Sequence, residues 1–227
     1  MKNTKKLFKE QISGLLSLQG TDEVLSEAAL PAYAHKNPLI DFIFWKRVEI
    51  AAGFIETKAK GKANILDFGC GTGVLSYKMA QSGHQVLALD LDLTPVNLLR
   101  DGIKYPDNIT FKEGDFLNMD FSGQSFDFIV ALDVLEHIPL DVLPVYLKKF
   151  NSILNPEGSI IISGPTENIL YKIGRKLAGS DFTGEYHETT IGRIKHVFND
   201  FFAVTTLRKL IWPLTLFEVF HAEKRKP

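Results

Sequence analysis

The sequence predicts an α/β fold in which helices pack on a mostly parallel sheet. The main observation is at residues 65–75 (ILDFGCGTGVL), where an apolar run ends in an acid and three alternating glycines before a helical pattern begins. A short apolar run of this kind is typical of a buried parallel strand, followed here by a tight turn into a helix. Apolar runs and helical patterns then alternate along the chain, as parallel strands joined by crossover helices require.

The other elements follow from apolar patterning and turn residues. Before the first strand, the pattern predicts one or two amphipathic helices over residues 7–30, broken near Gly20, and a long apolar helix from residue 39 to about residue 61. After the glycine turn we expect strands over 85–90, 109–116, 126–132 and 159–164, helices over 140–154, 169–178 and 190–199, a turn over 155–158, and a final hairpin of 202–212 and 214–223. These elements predict a helical cap or lid with a leading helix over 1–60, and a cofactor-binding core over 61–227 with a helical insert at about 167–200.

Charge and composition argue against some functions and predict a cellular compartment. The 26 Lys and Arg residues nearly balance the 27 Asp and Glu residues, and the net charge of −1 argues against general nucleic-acid binding. A single cysteine, the lack of a signal-peptide pattern and the lack of about 18 consecutive uncharged apolar residues predict a cytoplasmic protein. The sequence does not indicate an oligomeric state.

The spacing of the glycines indicates which class of nucleotide-like ligand the turn could bind. A dinucleotide fingerprint, G-x-G-x-x-G, would need a third glycine at Val74 or Ser76, depending on the frame. A Walker loop would need Gly-Lys-Ser/Thr after the glycines, and it is missing too. What remains is D-x-G-x-G-x-G, starting at Asp67, at the end of the strand where a carboxylate can take up an amino group.

This pattern resembles motif I of the class I S-adenosylmethionine-dependent methyltransferases. The run 134–137 (VLEH) after the fourth strand is similar to that of the small-molecule O-methyltransferases of the quinone-biosynthesis type. The resemblance implies a Rossmann-like sheet of seven strands with a reversed last strand, S-adenosylmethionine as cofactor and S-adenosylhomocysteine as product. The Asn/Asp-Pro-Pro-Tyr/Phe motif of amino-methylating DNA enzymes is missing, so exocyclic base amines are not the expected acceptors.

Acids at successive strand ends are the expected cofactor contacts. An acid at the end of the second strand can bind both ribose hydroxyls, which favours Asp90 over its competitor Asp92. In the resembled family the Asp115 position contacts the adenine amino group and the next residue packs on the ring. The predicted cofactor-binding residues are Asp67, Gly69, Cys70, Gly71, Gly73, Asp90, Leu91, Asp115, Phe116 and Leu132. We interpret Cys70 as a small packing residue rather than a nucleophile.

A hydroxyl acceptor would also need a base, and histidine titrates in the right range. Of six histidines, His137 and His187 are the candidate catalytic residues, although each could equally be structural. His84 precedes the second strand and belongs to the opposite edge of the sheet. No metal-ligand spacing is present, so a catalytic metal is not indicated.

The expected function is methyl transfer to a small-molecule or lipid-like acceptor, at oxygen. The alternatives are a non-catalytic S-adenosylmethionine-binding protein with a regulatory or assembly role, and another transfer reaction, such as aminopropyl transfer, in the same pocket. The helix predicted over 169–178 combines an apolar stripe with Lys172, Arg175 and Lys176. Such a helix either packs on the core or makes weak peripheral contact with an anionic membrane.

Overall fold

The structure is a computed structural model that describes residues 1–19, 33–166, 189–211 and 215–226. Several predictions concern residues outside these ranges. They are the second half of the N-terminal helical region, the helix over 169–178 with its three cations, and His187. In the part of the chain that is described, no helix is long and apolar enough to cross a membrane.

The described residues form a seven-stranded sheet with strand order β3-β2-β1-β4-β5-β7-β6. The strands are β1 (Asn64–Phe68), β2 (Gln85–Asp90), β3 (Ile109–Glu113), β4 (Phe126–Leu132), β5 (Leu154–Pro165), β6 (Phe202–Leu210) and β7 (Phe217–Lys224). The helices are α1 (Lys2–Gln19), α2 (Pro38–Lys58), α3 (Val74–Gln81), α4 (Thr94–Leu99), α5 (Leu143–Ile153) and α6 (Ile191–Phe201). Short 3₁₀ turns cover Phe116–Asn118 and Leu135–His137.

Strand direction confirms the predicted fold class. β1 pairs with β2, β2 with β3, and β4 with β5, all in parallel. β7 runs antiparallel to both of its neighbours, β5 and β6. The sheet is therefore mostly parallel with one reversed strand, and that strand is the last in the sequence.

The chain divides into two compact units, and the first, Met1–Asn118, contains β1 to β3 and α1 to α4. Phe8 of α1 is fully buried, and its ring packs edge-on against Tyr77 at 5.5 Å and Tyr105 at 6.3 Å. Lys5 and Lys9 reach the Asp41 carboxylate at 2.6 and 2.7 Å, which ties α1 to the first turn of α2. The predicted boundary between cap and core at residue 60 stays a prediction.

The second unit, Met119–Pro227, contains β4 to β7 with α5 and α6. The turn predicted over residues 155–158 is wrong, because these residues belong to β5. The register between β4 and β5 shifts from Phe126↔Leu154 to Phe128↔Ser159, so the extra residues of β5 are accommodated as an irregularity within the pairing. The Asn155 amide donates to Asp127 Oδ1 at 2.6 Å across this irregularity.

Candidate functional site

The turn between β1 and α3 has two differently built faces. Gly69, Gly71 and Gly73 have φ of 71°, 51° and 70°, a left-handed conformation that favours glycine. A Cβ on Gly73 would lie 3.2 Å from ring carbons of Tyr105 and Phe111, so this glycine also allows close packing. A Cβ on Gly71 would meet nothing within 4 Å, so the turn is open above Gly71 and a ligand can approach its backbone.

Asp67 lies beneath this turn and joins β1 to α3. Its side chain is almost fully buried, and Oδ2 accepts hydrogen bonds from Ser76 N at 3.1 Å and Ser76 Oγ at 2.5 Å. Burial raises the pKa of Asp67 from 3.8 to about 6, while the Ser76 donors lower it and the charge of Asp90 raises it further. Because its observed partner is Ser76, Asp67 serves the local structure directly, and its contact with a ligand amino group stays a prediction.

Asp90 faces the glycine turn from the end of β2. Its Oδ2 accepts the Gly71 N–H at 2.7 Å, and Oδ1 accepts the Asp92 N–H at 3.4 Å. Burial raises the pKa of Asp90, and the hydrogen bond from Gly71 opposes that rise. Asp92 is exposed and its Oδ1 accepts the Thr94 N–H at 2.8 Å, so Asp92 holds the start of α4 instead.

The residues around the ends of β2 and β3 are also those predicted to bind the cofactor. Leu91 is 73% exposed, an unusual exposure for a large apolar side chain next to a buried strand. Asp115 accepts hydrogen bonds from Leu117 N at 2.9 Å and Asn118 Nδ2 at 2.8 Å. Phe116 is 2% exposed, and its ring lies 5.1 Å from that of Phe68, so protein atoms already cover most of the Phe116 ring.

Two supporting residues of this region were missed at the sequence level. Tyr105 donates its hydroxyl proton to the Thr72 carbonyl at 2.8 Å, which supports the turn from the packed side. Burial raises the pKa of Tyr105, so the hydroxyl keeps the proton that it donates. Glu113 Oε2 accepts the Leu93 N–H at 3.0 Å and steadies the loop after β2. Glu113 could have been identified from the sequence, because it is a further acid at a strand end. Nothing in the local sequence pattern indicated a role for Tyr105.

Cys70 is buried within the turn, and burial raises the pKa of its thiol. A thiol that stays protonated is a poor nucleophile. The structure thus agrees with the interpretation of Cys70 as a packing residue.

In the second unit, the end of β4 carries an acid that the sequence analysis did not single out. Asp133 follows Leu132, which is half-buried, and has φ of 58°, a strained conformation for a residue other than glycine. Ser163 Oγ on the neighbouring strand β5 donates to Asp133 Oδ1 at 2.6 Å, and the Asp133 N–H donates to the Ser163 carbonyl at 3.1 Å. Backbone strain held by a buried partner at a strand end is typical of functional positions.

Glu136 and His137, three and four residues after Asp133, differ sharply in solvent exposure. Glu136 is 1% exposed, and its Oε2 would lie 3.6 Å from a Cβ built on Gly164 near the end of β5. His137 is exposed in the 3₁₀ turn after β4. His84 is buried and its Nδ1 accepts the Ala63 N–H at 3.1 Å, just before β1 begins. Among the described residues, no cluster of three or more His, Cys, Asp or Glu could hold a metal ion.

Comparison with known proteins gives a family match for the first half of this core. Residues 65–158 match the model of a family described as a methyltransferase domain. A ubiquinone biosynthesis O-methyltransferase from Haemophilus ducreyi is 32% identical over 118 residues, which is 48% of this chain and 49% of that protein. The chain therefore contains a region, residues 65–158, that is similar to methyltransferase domains. The resemblance to this family is thereby confirmed, although the chain spans only about half the length of the curated relatives that it matches.

Solved structures extend the likeness of this methyltransferase domain over nearly the whole chain. Magnesium protoporphyrin IX methyltransferase from Synechocystis, with bound S-adenosylmethionine, has a TM-score of 0.66 at 15% identity and covers 95% of this chain and 97% of that one. The 1,6-didemethyltoxoflavin-N1-methyltransferase of Burkholderia thailandensis has a TM-score of 0.62 at 19% identity and covers 89% of this chain and 88% of that one. At these identities the likeness establishes the fold.

The first prediction separates Asp90 from Asp92 as the ribose ligand. Asp90→Asn keeps an acceptor for the Gly71 N–H but removes the charge, so S-adenosylmethionine should bind more weakly by about 1.5–3 kcal/mol, the value of a charge-assisted hydrogen bond. Isothermal titration calorimetry measures the change, with Asp92→Asn as the matched control that leaves affinity nearly unaltered. The reverse pattern, with affinity lost only in the Asp92 variant, would move the ribose contact to Asp92.

The second prediction uses the raised pKa of Asp67. Because that pKa is about 6 in the folded chain against 3.8 ordinarily, the stabilising effect of protonated Asp67 is complete below about pH 4 and lost as the pH rises through 6. Asp67→Asn retains an acceptor for Ser76 and does not titrate. Between pH 4 and 7.5 the wild type should therefore lose roughly 1–3 kcal/mol of unfolding free energy relative to the variant. Urea unfolding across this range checks it, and a difference that is constant with pH would contradict the assignment.

Proposed function

We propose that this chain is an S-adenosylmethionine-dependent methyltransferase that acts at an oxygen atom of a small-molecule or lipid-like acceptor. The observation that carries the proposal is the glycine turn, open above Gly71 and bonded through the Gly71 N–H to Asp90, in a domain that matches the methyltransferase family. This geometry favours a ligand that lies on the backbone and presents a diol to a carboxylate. Both features fit S-adenosylmethionine.

The residues of the first unit fit the separate parts of that cofactor. Asp90 uses one lone pair of Oδ2 for Gly71 and retains acceptor capacity for ribose hydroxyls. The exposed side chain of Leu91 offers an apolar surface for an aromatic base, since a ring placed there would cover it. When bound, S-adenosylmethionine would supply a methyl group on a positively charged sulfur: an acceptor oxygen would bond to the methyl carbon as the carbon–sulfur bond breaks, and S-adenosylhomocysteine would leave as a neutral thioether. The protein then contributes positioning and the exclusion of water, an effect of about 7–11 kcal/mol in well-oriented reactions.

We propose that the methyl acceptor binds beside the segment that follows β4. Asp133 is held by Ser163, and His137 lies four residues later in an exposed turn. Each is a candidate to take the proton from a hydroxyl acceptor. We assign the base to His137, whose ordinary pKa is near neutrality. His187, the other histidine candidate, lies outside the described residues, and its catalytic role remains a sequence-based prediction.

The choice of oxygen rests on the curated relative, whose name specifies O-methylation in ubiquinone biosynthesis. The fold does not choose the acceptor atom, because a protein of similar fold is named for methylation at a nitrogen. A quinol or catechol with an apolar substituent is thus the first acceptor class to assay. A cytoplasmic protein with peripheral access to a membrane would suit an acceptor of that kind.

A third prediction tests the cofactor site through two glycines of similar geometry. Gly71 and Gly83 both have positive φ, 51° and 90°, and a Cβ on either would meet nothing within 4 Å. Gly71→Val and Gly83→Val should therefore incur comparable backbone strain, but only the Gly71 variant places a side chain where the cofactor lies. Calorimetry should show S-adenosylmethionine binding lost in Gly71→Val and retained in Gly83→Val. Normal binding by a folded Gly71→Val protein would reduce the turn to a structural feature and remove the basis of the proposal.

The fourth prediction concerns the base. With an oxygen acceptor and labelled S-adenosylmethionine, His137→Gln should lower turnover by about 10²–10⁴-fold with cofactor affinity retained, because glutamine does not titrate near neutrality. His196→Gln, an exposed histidine on α6, is the matched control. Asp133→Asn tests the Asp133 carboxylate as the alternative base. Full activity in His137→Gln with turnover lost in Asp133→Asn would transfer the role to the carboxylate.

A further inference from the structure

An exposed apolar pair lies at the start of α2. Leu39 is 44% exposed and Phe42 is 47% exposed, and the two are one helical turn apart on the same side of the helix. Elsewhere in the described chain, the large apolar side chains that are comparably exposed are Leu91, in the proposed cofactor site, and Val145. Leu39 and Phe42 are therefore an unusual feature that the methyl-transfer proposal does not explain.

Lysines are concentrated on the neighbouring helix. α1 carries four lysines and one acid, Glu10, in a chain whose net charge is −1. Lys2 and Lys6 are exposed. Lys6 approaches Glu10 at 3.9 Å with both side chains largely exposed, and such a pair contributes little and leaves the lysine available to another anion.

Phe42 and Lys2 adjoin one another, and Leu39 and Lys6 lie one helical turn from them on α2 and α1. A surface depression of about 190 Å³ is lined by residues of both helices, namely Met1, Lys2, Lys5, Phe42, Trp45, Lys46 and Glu49. Lys5 Nζ lies 5.6 Å from the centre of the Trp45 ring while it bridges to Asp41, so the two helices are held together at this place. We call Lys2, Lys6, Leu39 and Phe42 the N-terminal surface.

We propose that the N-terminal surface docks on an anionic lipid bilayer. Exposed lysines bring this face to a layer of headgroup phosphates, where each cation strengthens binding roughly fivefold, and the side chains of Leu39 and Phe42 enter the boundary below the headgroups. Lysine is suited to this contact, because a compact charge on a flexible stem meets many equivalent phosphates without a fixed geometry. The proposed contact is weak, reversible and sensitive to salt.

The test is co-sedimentation of the full chain with two kinds of vesicle, phosphatidylcholine alone and phosphatidylcholine with about one third phosphatidylglycerol. The variant combines Lys2→Gln, Lys6→Gln, Leu39→Ser and Phe42→Ser. Its partition onto the anionic vesicles should fall at least tenfold, because two lysines alone account for roughly 25-fold. The wild type should bind the anionic vesicles in preference to the neutral ones, and release from them as salt is added.

Two controls make the result specific. The variant Lys112→Gln, Val145→Ser, Lys148→Gln removes exposed residues of the same types elsewhere and should bind like the wild type. The variant Lys172→Gln, Arg175→Gln, Lys176→Gln probes the helix predicted over 169–178, and it too should retain binding. Circular dichroism and S-adenosylmethionine calorimetry verify that each variant is folded. Because the assay contains neither cofactor nor acceptor, its outcome is independent of the methyl-transfer proposal.

Three results would overturn the proposal. They are wild-type protein that does not bind anionic vesicles above the neutral background, equal binding by the wild type and the N-terminal variant, and loss of binding only in the Lys172, Arg175, Lys176 variant. The last result would assign membrane contact to the other segment.

Discussion

The paired hydrogen bonds between Asp67 and Ser76 are the constraint on which the first unit depends. They connect the end of β1 to the first turn of α3 across the glycine turn, and both residues are buried. A carboxylate in such a place is tolerated because its oxygen has two donors, and removing them would leave a costly buried group. With both ends of the turn held in this way, its backbone N–H groups have a defined direction, and that of Gly71 meets Asp90.

The packed face and the open face of the glycine turn meet different structural requirements. On the packed face, Gly73 allows the rings of Tyr105 and Phe111 to approach, and the Tyr105 hydroxyl holds the Thr72 carbonyl. On the open face, Gly71 leaves the backbone accessible beside Asp90. Glycine thus allows close packing at position 73 and leaves the backbone open at position 71. A rigid turn loses little entropy when a ligand binds, which is the advantage of a site formed in advance.

The second unit has a comparable device at the end of β4. Asp133 adopts a left-handed backbone conformation that costs of order 1–3 kcal/mol for a residue with a side chain, and Ser163 holds its carboxylate from the adjacent strand. Such strain persists only where the surroundings enforce it. Asp133 is thus an acid with a fixed orientation, four residues before the exposed His137.

The sequence by itself determined the elements and the strand-end acids, and the tertiary structure decided what those acids contact. β2 and β4 were predicted with their observed bounds because apolar alternation and flanking turn residues are local signals. The start of β5 was mispredicted, since its pairing with β4 contains an irregularity that residues 155–158 do not reveal on their own. Asp67 and Asp90 could be located because each ends an apolar run, and Asp115 because the resembled family has an acid at that position. The partners Ser76, Tyr105 and Ser163 could not be found in this way, because 9, 33 and 30 residues separate them from the groups that they bind. Local periodicity carries no information about such pairings, which exist only once the chain has folded.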